Sequence, residues 1–287
     1  MADRDGYPPG VPCWIDTTQP DPDAAAEFYR GLFGWEVEDV MPPGSDGKYY
    51  MARIRGRDVA AIGSPLEGAP QPAAWNTYVC VESADETAQK VSGAGGRVLV
   101  EPFDVLQAGR TAVFSDPEGA VFSAWQPLEH KGAVVVNEHG SLNFNVLNTR
   151  DVEGAEAFYG AVFGWELGAD ESMWLLAGYG DHLEERDPGL RERIASFGGP
   201  PRFEDVVAAL TALTPVGDDQ ADTPAYWGVT FAVDDADAAA ERAEELGAEL
   251  TVPPTDAPWT RLTVIRDPQG ATFVASQFVP ENKDLDG

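Results

Sequence analysis

A nine-residue phrase occurs twice in this chain, and an internal repeat constrains a fold more tightly than any composition can. Phe28-Tyr29-Arg30-Gly31-Leu32-Phe33-Gly34-Trp35-Glu36 returns as Phe158-Tyr159-Gly160-Ala161-Val162-Phe163-Gly164-Trp165-Glu166, an offset of 130. A second phrase, Asp116-Pro117-Glu118-Gly119-Ala120-Val121-Phe122, returns as Asp267-Pro268-Gln269-Gly270-Ala271-Thr272-Phe273, an offset of 151. A chain of 287 residues has room for two domains of ordinary size. The repeats divide it into a first unit over 1–129 and a second over 130–287. The offset reaches 152 at Trp75/Trp227, so the second unit carries 22 extra residues, and these fall near 178–224.

Local signals fill in each unit. Asp21-Pro22 reads as a helix start, with Asp21 at the N-cap and Pro22 at the first helical position. Ala25, Phe28, Tyr29 and Leu32 then share one face, and Gly34 ends the helix. Ser83-Ala84-Asp85-Glu86 is a capping box that opens a second helix. Runs at 49–54, 59–62, 76–81, 97–100, 111–115 and 120–125 read as strands, with Asp116-Pro117-Glu118-Gly119 as the turn between the last two. The second unit repeats the plan, with Asp151 and Asp235 as caps. Within its expansion, Gly189–Phe197 and Phe203–Leu210 read as helices, and Gly217–Thr223 as a mobile polar loop. Such long loops serve as lids or binding loops, or as surfaces that dock a partner.

Bulk properties narrow the function classes. There are 49 acidic against 19 basic residues, a net charge of −30. Nucleic acid and anionic membranes are therefore poor partners, since phosphate binding needs a basic footprint. A cationic ligand would be attracted. No apolar run is long enough for a membrane span, and the N-terminus lacks a signal-peptide pattern. Cys13 and Cys80 are the only cysteines, and they are expected to be buried and inert. These features imply a reduced, cytoplasmic setting. His130 and His139 fall in the polar connector and read as solvated loop residues.

The Phe-Tyr helix, its Phe-Gly-Trp stop, the Asp-capped second helix and the Asp-Pro-x-Gly turn together resemble the vicinal oxygen chelate superfamily. This is the glyoxalase, bleomycin-resistance and extradiol-dioxygenase fold. The tandem form, with Pro12-Cys13-Trp14-Ile15-Asp16, is similar to two-unit actinobacterial glyoxalase-like proteins. The resemblance implies an α+β fold: tandem units built from βαβββ motifs, with curved mixed sheets forming cups and helices outside. It implies a self-contained pseudo-dimer or a homodimer. It also implies a divalent metal held by His, Glu or Gln at three strand positions. Carried onto this chain, those positions are Trp14, Asn76 and Ser123 in the first unit and Phe144, Gly228 and Val274 in the second. None is a strong ligand for such a metal, so the expectation is no metal and no cofactor.

Aromatic side chains stand where the resemblance opens the cup. Trp14, Trp75, Trp125, Phe144, Trp174, Tyr226 and Trp227, with Asn76 and Arg110, make a candidate lining for a small organic ligand, aromatic or cationic. Core packing is the rival reading for each ring. Asp16 alternates with Trp14 and so shares its face. It is a candidate general base for a metal-independent isomerase, lyase or hydroxylase-like reaction, an anchor for a cation, or a structural partner of Arg110 or a backbone N–H. Its counterpart in the second unit is Val146. Three readings stand: a small-molecule binder, an enzyme using Asp16, and a scaffold docking a partner through the insertion.

Overall fold

The computed structural model describes residues 3–65, 72–169, 171–213 and 223–285. The first unit runs β1 (Pro12–Thr18), α1 (Pro22–Phe33), β2 (Glu36–Asp39), β3 (Tyr49–Ile54), β4 (Arg57–Gly63), then β5 (Ala74–Cys80), α2 (Ala84–Gly93), β6 (Arg97–Val105), β7 (Gly109–Ser115) and β8 (Val121–Pro127). This is one βαβββ motif followed by another. The eight strands form one mixed sheet in the order β2-β3-β4-β1-β5-β8-β7-β6. β1 and β5 pair antiparallel at its centre, and each lies parallel to the last strand of its own motif.

The second unit repeats this with β9 (Ser141–Thr149), α3 (Val152–Phe163), β10 (Glu166–Leu167), β11 (Met173–Leu175), α4 (Tyr179–Arg186), α5 (Leu190–Ser196), β12 (Val206–Ala212), β13 (Tyr226–Ala232), α6 (Ala236–Glu245), β14 (Glu249–Ala257), β15 (Thr260–Arg266) and β16 (Thr272–Phe278). Its sheet order, β10-β11-β12-β9-β13-β16-β15-β14, is the same arrangement.

The helix punctuation follows the sequence signals. The Asp21 carboxylate accepts from the Ala24 amide at 3.1 Å, and Asp151 and Asp235 cap α3 and α6 in the same way. α1 and α3 end at Gly34 and Gly164, whose φ of 70° and 75° lies in the left-handed region where a side chain is strained.

A smaller cluster of Cys13, Trp14, Ala61, Cys80, Trp125 and Ala133 packs on the first unit's cup face, and the two larger cores each draw on both units. One joins Phe28, Tyr29, Phe33 and Trp35 of the first motif to Phe231, Ala236 and Phe273 of the last. The other joins Phe114 and Phe122 of the second motif to Phe158, Tyr159 and Trp165 of the third. The sheets thus meet through their helix-bearing faces, with α1 against α6 and α2 against α3. The cups face away from these cores.

The expansion of the second unit sits between β11 and β12, where the first unit has only the tight turn between β3 and β4. It forms α4, α5 and a single 3-10 turn at Phe203–Asp205. The helix expected over Phe203–Leu210 is a correction: Val206–Ala212 is the strand β12, parallel to β9. Its Val-Val-Ala-Ala-Leu run has no polar alternation because β12 lies inside the sheet between β9 and β11, and such runs look alike as helix or strand. Most of the expected polar loop, 217–222, lies outside the described residues.

Candidate functional site

Alternation along the central strands sorts the candidate residues onto opposite faces. On β5, Asn76 and Tyr78 face the first unit's cup, while Trp75 and Thr77 face the helices. On β1, Trp14, Asp16 and Thr18 share the cup face. β1 and β5 pair Asp16 with Asn76 and Trp14 with Tyr78.

These residues converge on Asp16, whose side chain is almost fully buried. Its Oδ1 accepts from Asn76 Nδ2 at 2.8 Å. Its Oδ2 accepts from the hydroxyls of Tyr78 at 2.8 Å and Tyr49 at 3.1 Å. Tyr49 accepts in turn from Trp14 Nε1 at 3.2 Å, and Asn76 also donates to Thr18 Oγ1. All three donors to Asp16 are neutral. Burial raises the Asp16 pKa above the usual carboxylate value, more than the hydrogen bonds from Asn76, Tyr78 and Tyr49 lower it. Burial and the adjacent carboxylate hold both tyrosine hydroxyls well above their ordinary pKa, so both stay protonated as donors. Tyr49, Asn76 and Tyr78 are partly buried around Asp16.

One end of the cup is closed by the connector. His130 packs edge-on against Trp14 at 4.4 Å between ring centroids and against Trp125 at 5.8 Å. Trp125 Nε1 donates to the His130 carbonyl at 2.9 Å. The solvated loop histidine expected at this position is therefore a correction: His130 is a largely buried part of the cup wall, its side chain 15% exposed. Burial lowers its pKa and Asp58 only partly opposes this, so the ring is held neutral. Its Nε2 is buried without a hydrogen-bond partner. His139 stays about half exposed, and its Nδ1 accepts from the Asp234 amide. His182 stacks on Tyr179 at the start of the insertion.

The structure separates the other expected lining residues from this cluster. Trp75, Trp174 and Trp227 lie on the helix side, a correction to their expected place in a cup. Trp75 packs against Tyr29, Trp35 and Phe231, while Trp174 and Trp227 pack against Tyr159 and Trp165. Trp75 Nε1 donates to Tyr29, and Trp227 Nε1 to Tyr159, which satisfies their one polar atom inside the core. Arg110 is not beside Asp16. It makes a forked pair with Asp85 and a bond to Asp104, and Arg261 repeats this with Asp237 and Asp256. Phe144 faces the second cup, and Tyr226 sits exposed at its edge. Cys13 and Cys80 are both buried.

In the second unit, Val146, Gly228 and Thr230 stand where Asp16, Asn76 and Tyr78 stand in the first. Its cup therefore has no matching carboxylate cluster. Tyr49 and Tyr78 are the functional candidates that sequence reasoning missed. Tyr78 was two residues from Asn76 and so on the same face; nothing local marked Tyr49.

The divalent metal implied by the resemblance does not fit the donors at Asp16. They are one carboxylate, one carboxamide and two protonated phenols that spend their hydrogens on that carboxylate. Hard and borderline cations need several anionic oxygens or imidazoles together. Among the described residues, no group of three His, Cys, Asp or Glu side chains could hold such an ion.

Comparisons with known proteins agree with this architecture. The model of the Glyoxalase/Bleomycin resistance protein/Dioxygenase superfamily matches residues 14–123 and 141–274. CFP32 of Mycobacterium tuberculosis, named as a candidate glyoxylase, is 38% identical over 98% of this chain and 100% of its own. The anthracycline biosynthesis protein DnrV of Streptomyces peucetius is 35% identical over 93% of each chain. Among solved structures, the Mn(II)-bound glyoxalase from Novosphingobium aromaticivorans superposes with a TM-score of 0.57 at 17% identity, over 94% of this chain and 82% of that one. The 2,2',3-trihydroxybiphenyl 1,2-dioxygenase of Sphingomonas wittichii gives 0.57 at 14% identity, over 97% and 93%. Two matched units, two such relatives and this shared sheet order lead to one conclusion: the chain belongs to the Glyoxalase/Bleomycin resistance protein/Dioxygenase superfamily.

Proposed function

We propose that the first unit's cup binds a small aromatic molecule carrying a cationic or hydrogen-donating group, seated against Asp16 without a divalent metal. The observation that supports this most is the Asp16 cluster itself. A carboxylate buried among neutral donors costs stability, and such groups gather at functional sites. The second unit does without it, having Val146 at the same place. Oδ1 of Asp16 accepts from Asn76 and has capacity for a second donor. Tyr49 and Tyr78 give the ligand ring surface, with the buried Trp14 behind them. Relatives named for anthracycline biosynthesis are in keeping with an aromatic ligand.

The raised pKa of Asp16 favours a second reading, a metal-independent catalyst in which Asp16 takes a proton from the bound molecule. Both readings share one test. The protein is screened by thermal shift against aromatic amines, phenols and quinones, since a ligand of the native state raises stability by mass action. Hits are titrated into the Asp16→Asn variant. Binding lost in the variant supports the site, and undiminished binding removes Asp16 from both readings. Turnover of a hit, with a rate that rises with pH through one ionisation, selects the catalyst.

A further inference from the structure

A cavity of about 540 Å³ lies outside the Asp16 cup, on the other side of the connector. Leu142, Phe144 and Val206 form its floor, and Arg4 and Tyr7 come from the N-terminal segment. Its roof is α5. Leu190 and Ile194 of the helix, with Phe197 just beyond its end, recur at helical spacing and border the cavity. No residue of α5 is buried. Phe197 also packs edge-on against Trp259 and Phe278, whereas Leu190 and Ile194 are left partly buried at the cavity, where an occupant would complete their packing.

The polar rim is mostly committed elsewhere. Arg186 pairs with Asp5, and Arg193 with Asp187. Asp3 pairs with Arg57. Arg4 differs: no carboxylate partner is present among the described residues, its side chain hydrogen-bonds Tyr179 and lies 6.0 Å from the centre of the Tyr7 ring, and its Nε is buried without an acceptor. A buried donor left unpaired is costly and calls for a partner. In a chain of net charge −30, an arginine without a carboxylate partner, lining a partly open and mainly apolar cavity, is a local anion site against the prevailing field.

We infer that this cavity, shared by both units, is a second binding site, for a small aromatic carboxylic acid. The ring lies between Phe144 and the α5 stripe, and the carboxylate takes the Arg4 guanidinium. The volume suits a one- or two-ring molecule, since small-ligand pockets run from about 300 to 1,000 Å³. α5 is held by partly exposed ion pairs of Arg191 with Asp181 and Glu204, by Glu184 at its first turn and by Phe197 against Trp259 and Phe278, surface contacts of modest strength. This site is independent of the Asp16 reading.

The test uses 1-naphthoate and its neutral analogue 1-naphthalenemethanol, titrated calorimetrically into the full chain. Saturable naphthoate binding is expected, weakened at least tenfold by Arg4→Gln and abolished by Ile194→Trp, which fills the cavity from the roof. The neutral alcohol should bind at least tenfold more weakly than naphthoate to the unaltered protein. Asp16→Asn should leave naphthoate affinity unchanged, which separates this site from the first cup. No saturable naphthoate binding, or binding untouched by Ile194→Trp, overturns the site. Binding lost in Ile194→Trp but equal in Arg4→Gln overturns its anionic character.

Discussion

The Tyr29 hydroxyl donates to Oδ2 of Asp267 at 2.9 Å, across 238 residues of sequence. Its mirror is Tyr159, which donates to Oδ2 of Asp116 at 3.0 Å. The other oxygen of each aspartate holds its own turn, accepting from the backbone amides of Gly119 and Ala120 or of Gln269 and Ala271. The two repeated phrases are therefore complementary halves of one contact, each reaching into the opposite unit.

The two copies of this contact are not equally buffered. Asp267 Oδ2 also accepts from Gln19 at 2.7 Å, whereas Tyr159 is the side-chain donor to Asp116. Tyr29→Phe and Tyr159→Phe each strand a tryptophan N–H and remove a charge-assisted bond, at about 2–4 kcal/mol. Tyr159→Phe should cost about 1 kcal/mol more than Tyr29→Phe in urea unfolding at pH 7. Burial already raises the Asp116 pKa, and the Tyr159 bond is one of the groups lowering it. The cost is that of a charged buried carboxylate, so the extra loss should shrink as pH falls through its folded pKa.

Asp16→Asn should leave thermal stability at pH 7 equal to or above that of the parent. Asp16 has a folded pKa raised by burial, so its contribution is favourable below its unfolded pKa and lost as pH rises through the folded value. Removing the charge removes that loss. Melting curves from pH 4 to 8 should show any advantage of the variant fading toward pH 4. A clear destabilisation at pH 7 would mean that the cluster serves the fold rather than a ligand.

Val146→Asp places a carboxylate at the equivalent point of the second cup. Gly228 and Thr230 stand there in place of Asn76 and Tyr78, so the donors are missing. The expected loss is about 1–3 kcal/mol at pH 7, relieved on acidification, as read by denaturant unfolding.

Arg110→Ala and Arg261→Ala should behave alike. Each arginine bridges a helix and a strand through partly exposed pairs. Each loss should be about 1 kcal/mol or less, diminish in high salt, and leave ligand binding in either cavity unchanged.

Much of the fold was legible because its signals are local. Caps at Asp21, Ser83, Asp151 and Asp235, the stops at Gly34 and Gly164 and the Asp-Pro-x-Gly turns each act within a few residues. β12 was misread because a strand inside the sheet shows no polar alternation. The faces of Trp75, Trp174 and Trp227 were misread because both faces of these sheets carry aromatic side chains, so a ring does not declare its side. Asp16 was found by alternation from Trp14. Its donor Tyr49 was not, since only tertiary packing joins β3 to β1 through β4. His130 looked solvated because the path of the connector across the cup is set by contacts such as Ala133 to Cys13, not by its own polar composition.

The crossed cores give the duplication an unequal freedom. A change at Tyr29 is felt in the turn of the other copy, and a change at Asp116 in the other copy's helix, so the inward faces must vary in concert. The cups touch neither core. They are where one half can carry Asp16 and its tyrosines while the other carries Val146 and a helical roof, with the common frame undisturbed. A gene doubled in this way has one shared skeleton and two separately editable hands.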